Sequence, residues 1–186
     1  MAEVRGILVA AIRAFLLERY GKSAIDAATA KLVPDEAVLI QRTFLDSSFY
    51  PYATMAAMGT LTQTLSPIRH TSGQELGRFI AEHVFKGAYK PLLAKDMNHM
   101  VEKIGSIKEF FYRDASNIDS AMTGDTSAEV VYRYSKGVRP TRGACRSLGA
   151  FWGRTLELAS GINVSGAHPI CNADGGDRCE FKYSWV

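Results

Sequence analysis

The sequence predicts an α+β fold, with N-terminal helices packed on a small C-terminal antiparallel sheet. Three observations lead there. Apolar residues recur with a period near 3.6 through the first two-thirds of the chain. The last third is β-rich, around Glu129–Tyr134, Asn163–Cys171 and Arg178–Trp185. Asn172–Asp177 is a cluster of Asn, Asp and Gly, which supplies the backbone angles of a turn between the last two strands.

Each element has its own local reason. Val4, Leu8, Ile12, Phe15 and Leu16 place one apolar face on a helix over Val4–Tyr20, and Gly21 is read as its stop. A short helix is expected over Ala24–Leu32. Pro34 opens another, to about Leu45, with Asp35 and Glu36 in its first turn. Pro51 precedes a helix over Tyr52–Leu65. Ser72 and Glu75 have capping-box spacing, so a long helix is expected from there to about Tyr89, and another over Leu92–Ile104. Tyr112–Ile118 is a strand able to pair with Glu129–Tyr134. A last helix covers Arg142–Ser160 and ends at Gly161.

The 186 residues are read as a single domain, 1–186. Apolar residues make up 47% and charged residues 22%, which excludes a disordered chain. The net charge of +3 is too small to argue for nucleic acid. Arg133, Lys136, Arg139, Arg142, Arg146 and Arg154 do gather in one stretch, but without interleaved aromatic residues, so they read as a solvated surface. No window is apolar enough for a membrane span, and the N-terminus is no signal peptide, so a cytoplasmic location is expected.

Cys145, His168, Cys171 and Cys179 have the side chains that zinc prefers, and closed zinc sites use four such ligands. Cys171 and Cys179 flank the turn, Pro169 can bend the chain at His168, and Cys145 arrives at the start of the last helix. Spacing alone leaves three readings open: a metal site, free buried thiols, or a Cys171–Cys179 disulfide.

The stretch from Gly143-Ala-Cys145 to Cys171-Asn-Ala-Asp-Gly-Gly-Asp-Arg-Cys179-Glu-Phe181 resembles the 4-vinyl-reductase domain, the sensor half of aromatic-responsive bacterial transcription activators. In that family three cysteines and an acidic residue bind a structural zinc. The resemblance implies zinc on Cys145, Cys171 and Cys179, with His168 in place of the acidic residue. It covers about the last 45 residues. Val4–Gly21 resembles the first helix of haem-nitric-oxide/oxygen-binding domains, and the whole chain resembles a family expanded in myxobacteria that joins the two halves. These families share a fold with subunits of the TRAPP trafficking complex. The resemblance also implies a homodimer, for which Ile7, Ala10, Ala11 and Ala14 on the first helix are the expected patch.

If haem bound, His99 would be the expected proximal ligand, and Tyr132, Ser135 and Arg139 are the closest approach to a Tyr-x-Ser-x-Arg propionate motif. The residue types are present and the spacing is not. His99 also sits among Lys95, Asp96, Asn98, Glu102 and Lys103, so the sequence weighs against haem and for a solvated helix face. His83 and Trp152 are the candidate ligand-binding residues, His83 for its aromatic neighbours and Trp152 for its place on the Cys145 helix. No phosphate loop, Gly-x-Ser-x-Gly elbow or His-Glu-x-x-His helix is present, so an enzyme is not expected. The expected function is a sensory domain with structural zinc, binding an apolar aromatic or acyl molecule and signalling through a protein partner. The competing expectation is a protein-interaction scaffold without a small ligand.

Overall fold

The computed structural model describes residues 1–66 and 72–186. The first half runs β1 (Glu3–Arg5), α1 (Gly6–Thr29), α2 (Pro34–Ile40), β2 (Phe49–Pro51), α3 (Tyr52–Leu65) and α4 (Ser72–Phe85). The second half runs α5 (Met97–Phe111), β3 (Tyr112–Arg113), β4 (Ser116–Gly124), β5 (Ser127–Tyr134), α6 (Arg142–Ser160), β6 (Val164–Ile170) and β7 (Cys179–Trp185). The class is α+β, as the sequence predicts.

Several boundaries differ, each for a local reason. Gly21, at φ 74° and ψ 164°, leaves the helical conformation and breaks α1 at the expected stop, so α1 is two helical segments meeting at a kink. Helix α2 stops at Ile40. The chain beyond it is pinned by Tyr50, whose hydroxyl accepts the Leu45 N–H at 2.8 Å. Helix α5 starts at Met97 rather than Leu92, because the Asp96 carboxylate caps it by accepting the His99 N–H at 2.9 Å. For α4, the Ser72 side of the expected capping box lies outside the described residues.

The expected strand Tyr112–Ile118 is broken at Asp114, which has a positive φ of 51°. Before the break, β3 pairs with β1 in a three-stranded sheet of order β2-β1-β3. After it, β4 joins an antiparallel sheet of order β4-β5-β7-β6. On one face of this sheet β5 buries Ala128, Val130 and Tyr132, and β7 buries Cys179, Phe181, Tyr183 and Trp185.

Helix α6 lies between that face and α4. Thr141 caps its start by accepting the Ala144 N–H at 3.2 Å, and Gly161 ends it in the left-handed conformation. Two glycines set the spacing. A Cβ at Gly77 would stand 2.0 Å from the Ser147 carbonyl oxygen, and one at Gly149 would stand 2.8 Å from the Phe181 ring. Arg154 then ties the two helices by pairing with Glu82 and Glu157, and Arg78 also reaches Glu157.

Of the expected dimer patch on α1, Ile7 and Ala11 are buried within their own chain, at 6% and 0% exposed, while Ala10 and Ala14 are half-buried. The basic stretch is also partly neutralised within the chain, with Arg133 on Asp119, Arg142 on Asp174 and Arg154 on its two glutamates. Among the described residues no helix is long and apolar enough to cross a membrane.

Candidate ligand cavity and thiol cluster

A cavity of about 480 Å³ opens between α1, α3, α4 and α6. That is within the usual range for small-molecule sites. Its walls are apolar: Leu8 and Ile12 from α1, Leu76 and Ile80 from α4, and Leu148 and Phe151 from α6. Tyr52, Tyr112, Tyr132 and Tyr134 add four phenols. Burial pushes the Tyr52 phenol up to about 12, helped by the charge of Cys145 and Cys179, and burial also pushes the other three well above the ordinary tyrosine range. All four are therefore neutral hydrogen-bonding groups at neutral pH. Tyr112 already donates to the Met55 sulfur at 3.7 Å.

The mouth is different in character. It is formed by Gln63, Thr141, Arg142, Gly143, Arg146 and Ser147. Gln63 Nε2 donates to Thr141 Oγ1 at 3.0 Å, which fixes the first turn of α6 against α3. Among the described residues the lining holds two arginines and no carboxylate.

The cysteines meet beside this cavity. The sulfurs of Cys145, Cys171 and Cys179 all lie within 4.8 Å of one another. Cys145 is carried by α6, Cys179 opens β7, and Cys171 ends β6, so the cluster pins the terminal hairpin to the helix. Cys145 and Cys179 are hydrogen-bonded at 3.4 Å, and the Asn172 N–H donates to Cys179 at 3.4 Å. The Cys145 contact, the nearby His168 and that N–H push the Cys179 thiol down, against the effect of burial. The same contact, with burial, pushes Cys145 up.

Of the four expected ligands, the three cysteines are brought together and His168 lies beside Cys179. The three sulfurs converge, while the His168 ring stacks on Phe181 with centroids 4.4 Å apart. Among the described residues His168 Nε2 is buried without a hydrogen-bond partner. His83 is exposed, stacks on Phe79 and lies outside the cavity lining. Trp152 is 0% exposed and packs against Phe151 without reaching the cavity. His99 is exposed and bonded through Nδ1 to Asp96 at 2.6 Å. Sequence reasoning missed the tyrosines as a group, since three come from strands and one from a helix far away in the chain. The alternation of Tyr132 and Tyr134 on one face of β5 was the available signal.

No family model matches the sequence, and no curated protein matches it. Solved structures do match, along almost the whole chain. An H-NOX protein from S. oneidensis, in its Fe(II)NO state, superposes with a TM-score of 0.72 at 13% identity, covering 98% of this chain and 99% of that one. An unliganded Fe(II) H-NOX protein from K. algicida gives 0.68 at 17% identity, with 98% and 96% covered. A third structure, described by its haem redox potential and porphyrin distortion, gives 0.62 at 11% identity, with 97% and 99% covered. The chain therefore has the H-NOX fold.

This finding corrects the expected cofactor, which was structural zinc with haem disfavoured. The matching structures are described as iron and haem proteins. In the sequence, haem has only a mis-spaced motif at Tyr132–Arg139 and a His99 set among charged residues to point to it. The sequence does not show a cavity whose walls and basic mouth are assembled from six separate elements.

Proposed function

We propose that the chain is a small-molecule sensory domain that binds its ligand in the cavity, and that haem is the first ligand to test. The cavity is the observation that carries this: apolar walls, neutral phenols and a cationic mouth, in a fold shared with haem-binding H-NOX proteins. The residues fit a porphyrin as a flat apolar body with two carboxylates. Leu8, Ile12, Leu76, Ile80 and Phe151 would cover its faces and exclude water, and Arg142 and Arg146 would meet its carboxylates at the mouth. Haem, when bound, supplies an iron that takes a diatomic gas. Among the described residues no histidine lines the cavity. Of the side-chain types that ligate haem iron, it offers the Met55 thioether and phenols that burial keeps protonated. His99, bonded to Asp96 at the surface, has no part in this reading.

The proposal is for binding rather than catalysis. It extends to a protein partner that receives the signal, to self-association through a surface other than Ala11, and to a cytoplasmic setting. Cys145, Cys171 and Cys179, with His168 beside them, are proposed as a metal-ion site that clasps the terminal hairpin. The likeness to the 4-vinyl-reductase cysteines supports that assignment, and elemental analysis of the purified protein tests it.

The deciding experiment is titration with haemin, followed by absorbance. A saturable Soret band at one haem per chain is expected. Gly59 gives the control. It lies inside α3 on the cavity wall, and a Cβ there meets nothing within 4 Å. Gly59→Leu should fill the space and weaken binding without unfolding the chain. Absence of any saturable band, together with native mass spectra showing no retained small molecule, would remove the sensory reading and leave a scaffold.

A further inference from the structure

The cavity and the cysteine hairpin are joined through one side chain. Arg142 lines the cavity mouth, three residues before Cys145 on α6. Its guanidinium does not point at a cavity group. Nε donates to Asp174 Oδ1 at 2.6 Å, and Nη2 reaches the same oxygen. Asp174 belongs to the short turn Asn172–Asp174 that separates Cys171 from Cys179. That turn is tied to the cluster at its start, where the Asn172 N–H meets the Cys179 sulfur, and closed by Asn172 Nδ2 donating to the Gly176 carbonyl at 3.0 Å.

Two properties make this contact a point of exchange. First, the ion pair is half exposed, at 57% for Arg142 and 41% for Asp174, so it is weakly held. Second, the mouth is suited to a competing anion. It carries Arg142 and Arg146 with no carboxylate in the described lining. Helix α6 also starts at the same place, with its Ala144 N–H taken by the Thr141 cap and its positive dipole end toward the mouth.

We propose that an anionic group of the cavity ligand competes with Asp174 for Arg142, so that filling the cavity releases the turn between Cys171 and Cys179. The cavity thereby reports its occupancy to the thiol cluster. This inference rests on the cavity being the ligand site and goes beyond it, by fixing the ligand's charge and the route of the signal.

Metal-free protoporphyrin IX and its dimethyl ester form a matched pair of probes, since only the first carries carboxylates and neither depends on iron. Both are titrated from the same detergent into the full chain, with porphyrin fluorescence as the readout. The acid should bind at least tenfold more tightly than the ester. Arg142→Gln should abolish that preference. Asp174→Asn should tighten the acid by up to about fivefold, the factor that corresponds to about 1 kcal/mol for an exposed ion pair, and leave the ester unchanged. Hydrogen exchange over residues 171–179 should rise when the acid is bound to the wild type, and should already be raised in Asp174→Asn. Equal binding of acid and ester overturns the competition while leaving the cavity reading intact. Preference without any change in hairpin exchange overturns the signal route. Failure of both probes to bind overturns the cavity reading itself, and this inference with it.

Discussion

The contact between α4 and α6 makes a sharp quantitative test, because one glycine carries it. A Cβ at Gly77 would lie 2.0 Å from the Ser147 carbonyl oxygen and 2.9 Å from both the Ala150 Cβ and the Phe151 nitrogen. Relaxed contacts need about 3.5 Å, so Gly77→Ala requires the helices to part by roughly 1.5 Å. Helix α6 cannot simply retreat. Its opposite side already meets the sheet, where even a Cβ at Gly149 would stand 2.8 Å from the Phe181 ring. Overpacking of this kind costs about 3 kcal/mol at the upper end of its range. Alanine returns about 1 kcal/mol through its helix propensity. The net expectation is a loss of about 2 kcal/mol, or a fall of about 4–8 °C in Tm for a chain of this size. Gly59→Ala is the companion, because a Cβ there meets nothing within 4 Å in the middle of α3. It should stabilise by up to about 1 kcal/mol through propensity alone. Urea unfolding of both variants reads the difference as opposite shifts in midpoint at unchanged slope. If Gly77→Ala matched or exceeded the wild type in stability, the close α4–α6 packing described above would be wrong.

Two further expectations concern charge and access. Burial works to raise the Glu157 carboxyl, but hydrogen bonds from Arg154, Arg78 and the Val164 N–H outweigh it and hold the group below the ordinary value of 4.5. A carboxylate lowered by folding stabilises the protein above that value, and the contribution is lost as pH falls through the folded pKa. Glu157→Gln should therefore cost about 1–3 kcal/mol at pH 7. The gap should shrink as pH falls below 4.5 in paired denaturation curves; a gap independent of pH would show that the network contributes by shape alone. Among the cysteines, Cys145 and Cys179 are 0% exposed and Cys171 is half-buried. A thiol reagent should modify Cys171 first in the native protein and the other two only on unfolding. Simultaneous reaction of all three, followed by mass spectrometry of the peptides, would contradict that order.

The helices and strands were legible because their signals are local. Tyr52–Leu65 and Arg142–Ser160 have the bounds that their flanking proline, threonine and glycine imply, and the terminal hairpin follows from its turn residues. The convergence of the three cysteines was also anticipated from the same hairpin and helix start. Other features needed the tertiary structure. Strands β1 and β2 are three residues long and exist because each finds a partner, not because of their own pattern. Asp114, at its positive φ, breaks a strand that the sequence reads as continuous, and the two halves join different sheets. His83 and Trp152 looked suited to a ligand from their neighbours in sequence, yet which face of a helix borders a void is decided by what packs opposite. Trp152 is fully buried away from the cavity, while Gly59, unremarked in the sequence, faces an open space. The cavity itself could not be read from the chain. Tyr52, Tyr112 and Tyr134 are separated by dozens of residues, and only the packing of α6 between α4 and the sheet brings them around one space. The sequence by itself determined the fold class, because that follows from short-range periodicity and turn chemistry. The tertiary structure decided the ligand site, because a void belongs to no residue and exists only where several packed surfaces fail to meet.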